Sequence, residues 1–228
     1  MPYGITQCYL PPGRGDIRNL TLLIAYYVIW LTLLDLYKLL LVTVAVCLIV
    51  THKKTPNWTL SAVNLTPSYI LNILNVNVHG SLCSKLDELS TVFEQNSVGI
   101  ACITETWLKP TVSDDVIQID KYVCHRKDRQ DGRDGGGVLV YERNDVQCTR
   151  LHSYESNNLE TVWLLCHETR MPRCLSHILI GAVYHPPNAN HHYMLAYIID
   201  CLDQLSKDHQ QLGIILLGDF NSIVYLMQ

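Results

Sequence analysis

The sequence predicts an α/β sandwich built from mixed sheets. Three observations point there: short runs rich in Val, Ile and Leu recur from Asn72 onward, two stretches between them carry apolar residues at helical spacing, and the middle of the chain is a series of short strand-like segments separated by turn residues. Mixed strands need helices on their outer faces to bury both sides of each sheet, and the two amphipathic stretches supply them.

Asn72 to Val78 reads as a strand, and Leu82, Leu86, Leu89 and Phe93 follow at the spacing of one helix face. Val98 to Thr104 is a second strand, read as buried. Tyr122 to His125, Val138 to Tyr141, Val146 to Leu151 and Glu160 to Cys166 are short segments with turn signals between them, as in antiparallel hairpins. Ile178 to Tyr184 and Gly213 to Leu217 repeat the buried-strand pattern. Between them, His191 to Lys207 places Leu195, Ile198, Ile199, Leu202 and Leu205 on one helical face.

The N-terminal region differs in kind. Leu20 to Val50 is nearly all apolar, with only Asp35 and Lys38 charged, and residues 31–50 are long enough to predict a membrane-spanning helix. Asp35 and Lys38 are three apart and near one end, where they can pair or snorkel, whereas a span centred on them is disfavoured. Insertion would make the protein membrane-associated; without it, the chain reads as intracellular, in cytoplasm or nucleus. Residues 51–70, with Pro56 and Pro67, read as a linker. The expected organisation is therefore an N-terminal region over 1–50, a linker over 51–70 and a globular domain over 71–228.

A formal net charge of -4 argues against a general basic surface for nucleic acid, so any such contact must be local. Nine cysteines occur without a C-x-x-C pair, several of them in apolar strands, and are read as reduced, with no disulfide partner implied. Cys174 and His177 form a lone C-x-x-H beside Cys166 and His167, too little for a zinc site, and no metal is assigned there.

Polar groups stand where apolar strands run out: Asn77, Glu105, Tyr184, and Asp219 with Asn221. Ligands of open α/β sheets gather outside strand ends, so these residues can converge on one rim. A carboxylate after Ile100-Ala101-Cys102-Ile103-Thr104 is costly to bury unless paired or bound to a cation, although a solvated loop acid also fits Glu105. Gly218 allows a sharp turn that sends Asp219 and Asn221 to one side. Two carboxylates and two amides are hard oxygen ligands suited to Mg²⁺ and to phosphoester hydrolysis. Tyr184, in Val183-Tyr184-His185-Pro186-Pro187-Asn188, is placed to donate to phosphoryl oxygens, or simply to pack. Gly135-Gly136-Gly137 precedes a strand and reads as a hairpin turn, not a phosphate cradle. Arg126, Lys127, Arg129 and Arg133 are the one basic cluster of the globular part: a solvated loop, or a local contact to a phosphate backbone.

Taken in order, Asn77-Val78-His79-Gly80, Lys85-Leu86-Asp87-Glu88-Leu89, Thr104-Glu105-Thr106-Trp107-Leu108, Arg126-Lys127-Asp128-Arg129, Gly135-Gly136-Gly137-Val138, the Val183 to Asn188 motif and Leu217-Gly218-Asp219-Phe220-Asn221 resemble the signature of the endonuclease domain of LINE-like, non-long-terminal-repeat retrotransposons. That domain belongs to the endonuclease/exonuclease/phosphatase superfamily, of DNase I-like fold. The resemblance covers roughly Leu71 to Asn221. It implies that Asn77 and Glu105 help hold Mg²⁺, with Mn²⁺ as a substitute. Tyr184 would then stabilise the phosphoryl transition state, Asp219 would position or deprotonate water, and Asn221 would orient the phosphate. It also implies DNA as the partner, with Arg126, Lys127 and Arg129 as its contacts.

Two departures stand out. His79 replaces the acid of the family's Asn-x-Asp-Gly, with Asn75 a rival to Asn77 for the metal role. The family's last metal-side Asp and its final Asp-His pair should follow Asn221 by several tens of residues, and only Ser222 to Gln228 remain. The expectation is an incomplete sandwich that is inactive as it stands. The other readings are a membrane-tethered phosphodiesterase acting on lipid or inositol phosphates, and a non-catalytic membrane or interaction protein.

Overall fold

A computed structural model describes residues 72–80, 82–167, 175–209 and 211–221, together with the backbone of two further strands, Val46–Val50 (β1) and Ser61–Val63 (β2). The remaining strands are β3 (Ile73–Asn77), β4 (Ile100–Thr104), β5 (Tyr122–Lys127), β6 (Val138–Arg143), β7 (Cys148–Arg150), β8 (Glu160–Cys166), β9 (His177–Tyr184) and β10 (Leu212–Asp219). Two α-helices, α1 (Leu86–Gln95) and α2 (His191–Asp208), join them, α1 being preceded by a 3-10 turn at Leu82–Lys85.

The strands form two five-stranded mixed sheets, ordered β1-β10-β9-β8-β7 and β2-β3-β4-β6-β5. Period-two alternation decides which side chains meet between them. Ile73, Ile100, Cys102, Val138, Val140, Val162, Leu164, Ile180, Ala182, Ile215 and Leu217 fill the space between the sheets. Their neighbours in sequence face outward. Leu74, Val76, Ala101, Ile103, Leu139 and Tyr141 are covered by Leu89 and Phe93 of α1. Trp163, Leu179, Val183, Ile214 and Leu216 are covered by Met194, Ile198, Leu202 and Leu205 of α2. This is the mixed-sheet α/β sandwich the apolar pattern predicts.

Two expectations about the N-terminal region change. Val46–Val50 is a strand, parallel to β10 with Val46 opposite Ile214 and Val50 opposite Gly218, and not the end of a helix over 31–50; residues 31–45 lie outside the described residues. A continuous apolar run suits a buried parallel strand as well as a helix, so hydropathy alone does not distinguish them. Among the described residues no helix is long and apolar enough to cross a membrane. Ser61–Val63, within the expected linker, pairs antiparallel with β3.

The reading of the cysteines as all reduced is also corrected. Cys148 on β7 and Cys166 on β8 lie directly opposite in the antiparallel register, Cα–Cα 4.0 Å, and are joined by a disulfide. Cys83, Cys102, Cys124 and Cys201 are free thiols. Cys166 is thus spoken for, and Cys174 lies outside the described residues, so the C-x-x-H beside it gains no support as a metal site.

Candidate active site

The sheet directions bring chemistry to one rim. β3 runs parallel to β4, and β9 parallel to β10, so Asn77, Glu105, Tyr184 and Asp219 all emerge where strands end. β8 runs the other way and begins at the same rim, with Glu160 opposite Tyr184. Asn77, Tyr184, Asp219 and Glu160 continue the alternation of inward-facing positions, so the apolar interior gives way to polar groups at this end of the sandwich.

The centre is an amide between two acids. Asn77 Nδ2 donates to Asp219 Oδ2 at 2.7 Å and to Glu105 Oε1 at 3.1 Å. Both carboxylates touch one nitrogen, so the two acids converge on one point of the rim. Glu105 and Asp219 are buried, only 3% and 2% exposed. The second Glu105 oxygen meets His79 Nδ1 at 2.6 Å, and Asn77 Oδ1 accepts the His79 N–H at 2.9 Å. Asn75, its rival, is one pleat deeper and donates instead to the Gly218 carbonyl at 3.1 Å, tying β3 to β10 across the sandwich.

Asp219 is fixed from its own strand end. Asn221 N–H donates to Asp219 Oδ1 at 3.1 Å, and Asn221 Nδ2 donates to the His185 carbonyl at 2.7 Å. The His185 N–H in turn donates to the Asp219 carbonyl at 2.9 Å. The amide nitrogen of Asn221 therefore clamps the loop after Tyr184 onto the end of β10. Gly218 makes this possible: its φ is +129°, and a Cβ there would stand 1.8 Å from the Val183 carbonyl oxygen.

Tyr184 is 5% exposed. Burial pushes its phenol well up, and the negative charges of Glu105, Glu160 and Asp219 push the same way against Arg129. It stays protonated at neutral pH, a donor suited to phosphoryl oxygens. Beneath it, Arg129 Nε donates to Glu160 Oε1 at 2.7 Å, with the Arg129 guanidinium carbon 5.7 Å from the Tyr184 ring centre. The other Glu160 oxygen accepts the Gly137 N–H. Burial raises the Glu160 carboxyl, opposed by Gly137 and Arg129; burial lowers the Arg129 guanidinium, but the bond to and charge of Glu160, together with Tyr184 and Asp131, raise it on balance.

The structure brings Asn77, Glu105, Tyr184, Asp219 and Asn221 together. The basic cluster is engaged internally. Arg126 pairs with Asp114 and Asp128 and donates to the Lys109 and Val112 carbonyls, and Arg133 pairs with Asp131. Lys127 ends β5, half-buried. Sequence reasoning missed Glu160. Its signal was present in the Glu160-Val162-Leu164-Cys166 alternation, which puts it on the inner face.

Backbone strain gathers at the same rim. His79, Glu105, Trp107 and Asn221 have φ of 38°, 54°, 55° and 44°, left-handed values that cost about 1–3 kcal/mol each and persist where surrounding contacts over-determine them. The Gly135–Gly137 turn, in the loop joining β5 to β6, admits these neighbours. A Cβ on Gly136 would meet the Arg129 guanidinium and Glu160 carboxylate, each at 2.6 Å, and one on Gly137 would meet Thr106 Oγ1 at 2.4 Å.

Among the described residues no three His, Cys, Asp or Glu side chains form a metal-holding group. The donor set itself suits Mg²⁺, which takes one or two carboxylates from protein and leaves positions for water and phosphate. Two buried acids converging on one amide nitrogen, with His79 and the Asn221 N–H on their other oxygens, concentrate negative charge that a cation would relieve.

Residues 74–224, more than half of the chain, match the Endonuclease/Exonuclease/phosphatase family. The chain belongs to this family. Solved structures of similar fold include an AP endonuclease, LMAP, from Leishmania major (18% identity, 63% of this chain and 53% of that one, TM-score 0.48). The endonuclease domain of TRAS1, a telomere-specific non-LTR retrotransposon, is another (16%, 64% and 58%, TM-score 0.45). A third is an AP endonuclease from Archaeoglobus fulgidus (15%, 66% and 57%, TM-score 0.43). The chain thus spans little more than half the length of these three, from 53% to 58%. Comparison with curated protein sequences returns no match. Family membership accounts for the two-sheet sandwich.

Proposed function

We propose that the rim is a Mg²⁺-dependent phosphodiester hydrolysis site of the retroelement DNA-nicking kind. The observation that carries this reading is the Asn77 amide held between Glu105 and Asp219, with Tyr184 emerging from the neighbouring strand β9. Asn77 and Glu105 would hold Mg²⁺ or Mn²⁺, which when bound would neutralise charge on the phosphoryl oxygens. Asp219 accepts a proton from, or orients, an attacking water. Tyr184 donates its phenolic hydrogen to a phosphoryl oxygen, where charge develops. Asn221 acts on the phosphate directly, or through its grip on Asp219 and His185. The ordered motifs, Thr104 to Leu108 and Arg126 to Arg129 above all, favour DNA over lipid or inositol phosphates as substrate.

In-line displacement needs charge stabilised on the transferring group, and removing one group that does so typically costs a hundredfold to a thousandfold, about 3 to 4 kcal/mol. The experiment is nicking of supercoiled plasmid in Mg²⁺, where any rate shown by the purified chain should fall about a hundredfold or more in Asp219→Ala. Nicking undiminished in that variant would refute the site. A Mg²⁺- or Mn²⁺-induced rise in melting temperature, lost in Glu105→Gln, tests the cation role without turnover.

A further inference from the structure

Trp107 is 44% exposed, two residues after the buried acid Glu105, although a tryptophan has more apolar surface to hide than any other side chain. Nothing about this position is slack. The Trp107 N–H donates to the Gly136 carbonyl at 2.9 Å, and its backbone is held at φ +55°. One side of the indole lies against Gly135, where even a Cβ would come within 3.4 Å of Nε1. The indole also meets the His79 ring in a T-shaped contact, centroids 5.8 Å apart and planes at 72°. His79 is itself exposed over 69% of its side chain and is bonded to Glu105. Two exposed aromatic rings nearly at right angles therefore form a corner on the lip of the site, braced from behind by the glycine turn.

We propose that Trp107, with His79 as the second wall, is a stacking platform for a nucleobase next to the phosphodiester held at Asn77, Glu105 and Asp219. This rests on the phosphodiesterase reading of that site and adds its recognition element. A flat π-system is the ligand that an open indole face bordered by a perpendicular ring accommodates, and stacking tolerates every base. Among the described residues, Arg126, Arg129 and Arg133 of the basic cluster are all paired with acids. Base stacking then contributes binding that phosphate neutralisation does not supply.

The test is fluorescence anisotropy of a labelled short single-stranded DNA, against the same backbone carrying abasic residues, with the full chain in Mg²⁺. Wild type should bind the base-bearing strand about tenfold to a hundredfold more tightly than the abasic one, and Trp107→Ala should abolish that ratio while leaving abasic binding unchanged. Trp107→Phe should restore most of the ratio, and should lose the DNA-induced quenching of tryptophan emission that wild type is expected to show. Equal binding of both strands by wild type, with Trp107→Ala changing neither, overturns the stacking platform and leaves the phosphodiester site standing. Binding of neither strand overturns both.

Discussion

Asn77 Nδ2 lies 2.7 Å from Asp219 Oδ2 although the two residues are 142 positions apart and belong to different sheets. The bond closes the open end of the sandwich: the same nitrogen reaches Glu105, and Asn75 repeats the link between β3 and β10 one pleat deeper. Removal of Asn77 leaves two buried carboxylates facing each other without the donor they share. Asn77→Ala should lower unfolding free energy by about 1–3 kcal/mol in urea titration. The loss should be partly recovered by Mg²⁺, because a cation relieves the same repulsion. A loss that Mg²⁺ leaves untouched would mean that the two acids do not sense a common cation.

The Cys148–Cys166 disulfide closes a loop of sequence separation 18 at the β7 edge of its sheet. A loop of that size should add about 3 kcal/mol by restricting the unfolded chain. Cys148→Ala in oxidising buffer should therefore unfold at lower urea than wild type, and the gap should close when both are reduced. Thiol alkylation under denaturing, non-reducing conditions gives the direct check. Labelling of both Cys148 and Cys166 in the oxidised protein would contradict the bond.

Much of this was legible beforehand, for a physical reason. Strands such as Ile100–Thr104 and helices such as His191–Asp208 declare themselves by local periodicity, and the inward alternation ends in Asn77, Tyr184 and Asp219 where their strands stop. What was not legible depends on register between distant segments. Glu160 becomes a partner of Arg129 and a neighbour of Tyr184 through the β8–β9 pairing, and Cys148 meets Cys166 through the β7–β8 pairing. Val46–Val50 is apolar in either a helix or a strand, and its parallel pairing with β10 is a long-range choice.

Gly218 is the position where backbone geometry and site coincide. At φ +129° an L side chain is strained, and a Cβ 1.8 Å from the Val183 carbonyl oxygen cannot be absorbed by rotating a side chain. Gly218→Ala must push the end of β10 off β9, carrying Asp219 away from Asn77. We expect destabilisation above about 3 kcal/mol, in the range reserved for special backbone positions. Gly213→Ala on the same strand meets only side chains, Leu175 at 3.2 Å and Ile178 at 3.6 Å, and serves as the control. Equal stabilities for the two variants would contradict the close approach.

Low pH should act through His185. This ring is 1% exposed, its Nδ1 has no hydrogen-bond partner among the described residues, and its Nε2 shares a proton with His191 Nδ1 at 2.6 Å. Burial, and then the neighbouring His191, push its pKa from 6.5 down to about 4. A histidine depressed in the folded state binds protons more readily when unfolded, so unfolding takes up a proton between those two values. Its contribution to stability is full above pH 6.5 and is lost as pH falls towards 4, on the order of 2 kcal/mol across that window. Other groups titrate there too, His177 among them, so the comparison is with His185→Gln. Urea unfolding at successive pH values should give a flatter profile for that variant. His191→Ala should flatten it partway, because one of the two causes is gone. Parallel profiles for wild type and His185→Gln would show that the buried ring is not what the acid attacks.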